Sequence, residues 1–187
     1  NCEMYIDRFL YPVTSLGPGK RLVIWVSGCN AHCEGCANPE LWTQKSEQFI
    51  SVEDLASAIK KNMDKKEIEG ITISGGEPFD QATEISKLIE LLNFNADILI
   101  FSGYSLEELK NDCIKKRLLD KIDVLVDGRY VDELNDGISA LKGSTNQEIH
   151  ILNEKIKGKY FDYLSLGRQI QNFVYDYKTI SVGIHKT

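Results

Sequence analysis

Leu22-Val23-Ile24-Trp25-Val26-Ser27-Gly28-Cys29-Asn30-Ala31-His32-Cys33-Glu34-Gly35-Cys36 is the stretch around which the rest of the chain is organised. Its first part is short, continuous, β-branched and aromatic, the pattern of a buried strand. That strand delivers the chain to three cysteines spaced four and three residues apart. Three thiolates on one short loop grip a metal ion or a metal cluster from one side and leave a tetrahedral site one ligand short. No second CxxC pair follows nearby. His32, wedged between two candidate ligands, is read as a solvated or supporting side chain. Cys2 lies at the chain end, and Cys113 shares a helical face with Leu106 and Leu109, which reads as a buried, inert thiol. A [4Fe–4S] cluster usually takes four thiolates, so three would leave one iron open to an outside ligand. On spacing alone a catalytic cluster leads, with zinc and a structural accident as the alternatives.

The bulk composition bounds the remaining possibilities. A chain of 187 residues suggests one domain, 1–187, large enough to bury a core without disulfides. Apolar residues make up 42% and charged residues 27%, the balance of a globular protein. The net charge of −6 argues against non-specific binding to nucleic acid, which needs a Lys/Arg-rich face. No apolar run approaches the roughly 20 residues of a membrane span, and no signal peptide is evident, so a cytoplasmic location is expected. In a reducing compartment five cysteines, three of them clustered, point to metal binding or catalysis and not to disulfides.

Taken in order, residues 1–20 are mixed and contain the turn signal Leu16-Gly17-Pro18-Gly19. Strands are predicted at 21–27, 70–74, 98–101, 122–126 and 147–152. Ser51 with Asp54, and Ser105 with Glu108, mark helix starts. The first of these helices carries Val52, Leu55, Ala56, Ile59 and Met63 at helical spacing, and a helix over 82–92 carries Ala82, Ile85, Leu88, Ile89 and Leu92. Apolar strands joined by helical crossovers predict an α/β fold with a parallel sheet. The polar and glycine-rich signals all follow strands: Cys29–Cys36, Gly75-Gly76-Glu77-Pro78, Ser102-Gly103-Tyr104 and Asp127-Gly128. Sites on such sheets are built at the C-terminal strand ends, so four loops are expected to converge there. Residues 153–187 differ from the acidic remainder, with six Lys/Arg against three Asp/Glu and four tyrosines.

Cys29-x3-Cys33-x2-Cys36 after one strand and Gly75-Gly76-Glu77-Pro78 after the next resemble the radical S-adenosylmethionine (SAM) superfamily. Gly17-Pro18-Gly19-Lys20-Arg21, Val26-Ser27-Gly28-Cys29, Cys33-Glu34-Gly35-Cys36-Ala37-Asn38 and Trp42 are similar to the activating proteins of glycyl radical enzymes. Ser102-Gly103-Tyr104, Val126-Asp127-Gly128-Arg129-Tyr130 and Lys142-Gly143-Ser144-Thr145-Asn146-Gln147 narrow the resemblance to the activators of anaerobic ribonucleoside-triphosphate reductase. The similarity runs from about residue 5 to 152, which leaves 153–187 as an extension.

The resemblance implies a partial, incomplete parallel β/α barrel. It implies that Cys29, Cys33 and Cys36 hold three irons of a [4Fe–4S] cluster, while the fourth chelates SAM. Gly75 and Gly76 would bring backbone close to the methionine part, Glu77 would lie near the SAM ammonium, and Pro78 would stiffen the bend. Ser102 and Gly103, or Asp127, would meet the ribose or the sulfonium end. Reductive cleavage of SAM would give a 5′-deoxyadenosyl radical that takes hydrogen from a glycine Cα of the anaerobic ribonucleotide reductase large subunit. Flavodoxin or ferredoxin would be the electron donor, and neither nucleic acid nor membrane would be a partner. The bland readings stand beside these: Gly75-Gly76 as a tight turn, Ser102 and Tyr104 as turn residues, Asp127-Gly128 as a common turn pair, Asn38 as a local cap, Trp25 as core and Trp42 as packing under the cluster loop. Gly143–Gln147 reads as either a structural turn or a family-specific contact.

Gly35 and Lys20 depart from the superfamily pattern, and the tail departs more. Tyr160–Leu164 and Ile180–Ile184 are expected to add strands to the sheet or cap its open edge, or else to make a docking surface. A radical SAM enzyme acting on another peptide or a small molecule, and a non-enzymatic metal-binding domain, are the alternative functions.

Overall fold

The computed structural model describes residues 2–186. Strand β1 (Glu3–Val13) opens the chain and runs antiparallel to β2 (Arg21–Val26). Sequence reading left this segment unassigned. Its burial is irregular along its length, so it lacks a clean period-two signal, and long-range pairing with β2 fixes it. After the cysteine loop come β3 (Phe49–Ser51), α1 (Val52–Asn62), β4 (Gly70–Gly75), α2 (Ala82–Leu92) and β5 (Asp97–Phe101). Then follow α3 (Leu106–Lys110), α4 (Cys113–Leu119), β6 (Val124–Asp127) and β7 (Glu148–Ile151).

These strands form one seven-stranded sheet in the order β3-β1-β2-β4-β5-β6-β7. The four in the centre, β2, β4, β5 and β6, are parallel, and their neighbours β1 and β7 are antiparallel to them. The protein is thus a mixed α/β fold with a mostly parallel central sheet, whose two ends are β3 and β7. Among the described residues no helix is long and apolar enough to cross a membrane.

The central strands are buried on both faces, which is why they read as continuous apolar runs. Leu22, Ile24 and Val26 join Ile71, Ile73, Ile98 and Ile100 against Leu55 and Ile59 of α1 and Ile85 and Leu88 of α2. The alternate residues face the other way. Val23 and Trp25 pack with Val13, Leu16 and Leu41, while Leu99, Val124 and Val126 pack with Leu141, Tyr160 and Tyr163. The predicted caps are present: Ser51 Oγ accepts from the Asp54 N–H, and Ser105 and Glu108 close a reciprocal capping box.

Two expectations are corrected. Cys113 is exposed, not buried. The helix predicted to carry it ends at Lys110, and Asp112 starts a separate helix by accepting from the Ile114 and Lys115 N–H groups. Tyr160–Leu164 is not a strand but part of α5 (Lys157–Ser165). Tyr160 and Tyr163, three apart, share its buried side, while Phe161 between them is exposed. The second tail segment is a strand, but it does not join the sheet. β8 (Ile170–Tyr175) and β9 (Lys178–Gly183) form a separate antiparallel hairpin.

The tail is fastened at the N-terminal end of the parallel strands. Arg21 and Asp97 form a fully buried ion pair at 2.9 Å. Arg21 also donates to Thr72 Oγ1 and to the Pro18 and Ile71 carbonyls, so its donors are well used. Tyr160 Oη donates to Asp97 Oδ2 at 2.6 Å, and Lys159 binds the other carboxylate oxygen. Burial alone would push the Asp97 carboxyl up; Arg21, Lys159 and Tyr160 outweigh it and hold the carboxyl below its ordinary range.

Candidate functional site

The cysteine loop leaves β2 at its C-terminal end and is pinned there by backbone. Gly28 N–H donates to the Leu41 carbonyl at 2.7 Å, and Cys29 N–H to the Trp42 carbonyl at 3.0 Å. Cys29, Cys33 and Cys36 are all free and partly buried, and all three line one cavity of about 480 Å³. That size lies within the roughly 300–1,000 Å³ of small-molecule sites. His32 stacks on Trp42, with ring centroids 4.7 Å apart. The pairing agrees with reading Trp42 as packing by the loop and His32 as a supporting side chain.

The Gly75-Gly76 turn is built against the root of that loop. Gly75 has φ +111°, and a Cβ there would lie 2.2 Å from the Val26 carbonyl oxygen. A Cβ on Gly76 would lie 2.3 Å from the Gly28 oxygen. Backbone meets backbone here: Gly76 N–H donates to Val26 O and Glu77 N–H to Gly28 O, both at 2.8 Å. The two glycines are therefore required by strand-to-loop packing as well as exposed to the cavity that they line.

Glu77 comes next and is buried, with 5% of its surface exposed, yet it lines the same cavity. Ser102 Oγ donates to its Oε1 at 2.6 Å, Gly103 N–H to its Oε2 at 2.9 Å, and Phe79 N–H to Oε1 at 3.3 Å. Burial pushes its carboxyl up to about 7, and the three hydrogen bonds restrain that rise. Ser102 and Gly103 thus present Glu77 from the end of β5, and both also line the cavity. Pro78 is buried at the start of a short 3₁₀ turn, Pro78–Gln81, behind the carboxylate.

Asp127 is placed differently. Its Oδ2 accepts from the Leu106 N–H at 2.7 Å and lies 3.1 Å from His150 Nε2. The residues lining the cavity include Gly128 but not Asp127. Lys142–Gln147 is a clamp for the backbone that follows Gly128. Gln147 Nε2 donates to Gly128 O, Asn146 Nδ2 to Arg129 O, and Ser144 Oγ accepts from Val131 N–H. Gly143 and Gln147 also line the cavity, so the segment is a turn that contributes a wall. Asn38 lines the cavity as well, and its side chain makes no cap to the turn Pro39–Leu41.

The donor set fits a cluster better than one zinc ion. Three thiolates around tetrahedral zinc, at about 2.3 Å each, would sit about 3.8 Å apart. Among the described residues, the one His/Cys/Asp/Glu group whose ligand atoms all lie within 4.8 Å is Asp127, Glu148 and His150. The three sulfurs therefore do not all lie within 4.8 Å of one another, a wider spread than one tetrahedral zinc ion would impose.

A family model described as a 4Fe-4S single cluster domain matches residues 15–150. The anaerobic ribonucleoside-triphosphate reductase-activating protein of Escherichia coli K12 is 35% identical over 150 residues, 76% of this chain and 96% of that protein. The chain belongs to the family of anaerobic ribonucleoside-triphosphate reductase-activating proteins. Relatives of the same name from Vibrio cholerae and from Enterobacteria phage T4 are 36% and 34% identical, over 75% and 78% of this chain and 94% and 93% of their own lengths. QueE from Escherichia coli superposes with a TM-score of 0.47 at 18% identity, covering 55% of this chain and 54% of that one. The membership expected from the ordered motifs is met, and the matched domain supports a [4Fe–4S] cluster as cofactor.

Sequence reading missed Arg8 and, although it gave Ile180–Ile184 an edge-capping or docking role, did not bring the tail to the cavity. Arg8, on the unassigned β1, lines the cavity and lies over the Trp25 ring at 4.6 Å. Thr179 to His185, from the tail, line it as well. Neither carries a motif; only the register of β1 and the packing of the hairpin bring them to the site.

Proposed function

We propose that this protein is a radical SAM activase that generates a glycyl radical on anaerobic ribonucleotide reductase in the cytoplasm, taking its electron from a flavodoxin or ferredoxin. The observation that carries the reading is one cavity lined at once by three free thiols and a buried carboxylate, in a chain that belongs to the activase family. Bound there, a [4Fe–4S] cluster and SAM would supply one-electron cleavage of the carbon–sulfur bond and a deoxyadenosyl radical able to take hydrogen from a glycine Cα.

The chain's own residues position and shield. Cys29, Cys33 and Cys36 would hold the cluster on one side and leave a corner open. Glu77, fixed by Ser102 and Gly103, would receive the SAM ammonium. A carboxyl raised to about 7 by burial changes to its charged form when a cation arrives, so that cofactor and carboxylate stabilise each other. Gly75 and Gly76 would let the cofactor approach backbone, and Asp127 would act by holding the Gly128 turn in place. The surrounding walls would keep water from the reacting atoms. We read the open sheet as the partial β/α barrel of this superfamily.

The test is anaerobic reconstitution with iron and sulfide, then reduction with SAM and the reductase. Deoxyadenosine together with a glycyl radical in the electron paramagnetic resonance spectrum supports the proposal; SAM consumption with a silent spectrum refutes the assigned target. The second reading, a different peptide or small-molecule target, draws on the seven tail residues in the cavity wall.

A further inference from the structure

The hairpin β8–β9 lies outside the family match, which ends at residue 150, while the curated relative from Escherichia coli is covered over 96% of its length. It is nevertheless part of the cavity: seven consecutive residues, 179–185, line the space that the cluster cysteines line. It is also held firmly. Ser15 Oγ donates to Val182 O at 2.8 Å, Thr14 N–H to Gln171 Oε1 at 2.9 Å, and Asn135 Nδ2 to His185 O at 3.1 Å. Arg168, at the entry to the hairpin, donates to Lys142 O at 2.7 Å and to Asn135 Oδ1 at 2.9 Å.

Strand alternation sets the chemistry of this wall. Ile180, Val182 and Ile184 point toward Trp25 and Leu16 and pack with them, whereas Val174 on β8 is largely exposed. The hairpin thus brings Ile180, Val182 and Ile184 to the cavity that the three cysteines and Glu77 also line, with Thr179, Ser181 and His185 beside them. A charged side chain laid against these three aliphatic side chains loses hydration and gains no partner from them. We propose that β9 is a specificity wall that selects a polypeptide segment with neutral, apolar residues beside its target glycine, with Ile180 and Ile184 as the deciding side chains. The proposal rests on the activase reading for the cavity's use and adds a selecting element to it.

Trp25 and Trp42 both line the cavity, so tryptophan emission reports its occupancy without turnover. The probes are synthetic nonapeptides with a central glycine flanked by valines, glutamates or lysines, titrated into the cluster-loaded protein with SAM. The valine peptide is expected to bind at least about tenfold tighter than either charged peptide. Ile180→Glu is expected to reverse the order in favour of the lysine peptide by about tenfold. Ile184→Glu serves as a second variant should the first unfold, and Val174→Thr is expected to change nothing. Equal binding of the three peptides, binding of none, or an unchanged order in folded wall variants would overturn the wall. If the wild type makes a glycyl radical on the reductase while peptides are not distinguished, the wall falls and the activase reading stands. Peptide discrimination without any radical on the reductase overturns the activase reading alone.

Discussion

Glu77→Gln isolates the most perturbed group in the site. The wild-type carboxyl stands at about 7, against an ordinary 4.5, because it is buried. Between these values the folded state keeps a proton that the unfolded chain has lost. The contribution to stability is therefore complete below about pH 4.5 and is lost as pH rises through about 7. At about 1.4 kcal/mol for each pH unit of difference, the loss amounts to about 3 kcal/mol. Glutamine has nearly the same shape and no proton to lose. Urea unfolding of reduced, anaerobically purified protein at pH 5, 6, 7 and 8 measures the effect. Wild type minus variant is expected to fall by about 2–3 kcal/mol from the lowest to the highest pH, with the variant the equal of the wild type or better at pH 8. A difference that stays flat across this range refutes the assignment of the raised carboxyl to Glu77. The same variant is expected to bind SAM at least about tenfold more weakly at pH 8, where the wild-type carboxylate is charged.

The packing and the thiolate loop set four further outcomes. Arg21→Met strands the Asp97 carboxylate and is expected to cost about 3–5 kcal/mol. Tyr160→Phe, which removes a single hydrogen bond to that carboxylate, is expected to cost about 2 kcal/mol in the same denaturation assay. Gly76→Ala drives a methyl into the Gly28 carbonyl and is expected to cost about 1–3 kcal/mol and to weaken SAM binding, read by thermal melting with and without SAM. Cys36→Ala is expected to abolish iron-dependent visible absorption and deoxyadenosine formation, whereas Cys113→Ser, at an exposed helix start, leaves both as they are.

Local chemistry was legible wherever a residue acts through its neighbours in sequence. The capping serines, the apolar strands, the cysteine spacing and the glycine pair could all be read because each answers to a short-range geometric demand. Cys113 was misread because one capping aspartate, Asp112, divides what looked like a single helix into two. Tyr160–Leu164 was misread because five residues, three of them aromatic, satisfy either a period of two or a face of three and four. Asp127 was placed at the correct strand end, but its neighbours Leu106 and His150 take its carboxylate away from the cavity.

The sequence alone determined the thiolate loop, the alternation of strands and helices, and hence the edge of the sheet on which a site stands. Only the tertiary structure decided that Ser102 and Gly103 serve the cavity by gripping Glu77, that β1 brings Arg8 to it, and that the tail folds back as its aliphatic wall. Spacing along a chain encodes contacts within a turn or a strand. Contacts across 25, 76 or 157 residues, as from Ser102 to Glu77, Arg21 to Asp97 and Thr14 to Gln171, arise only once the sheet has set its register.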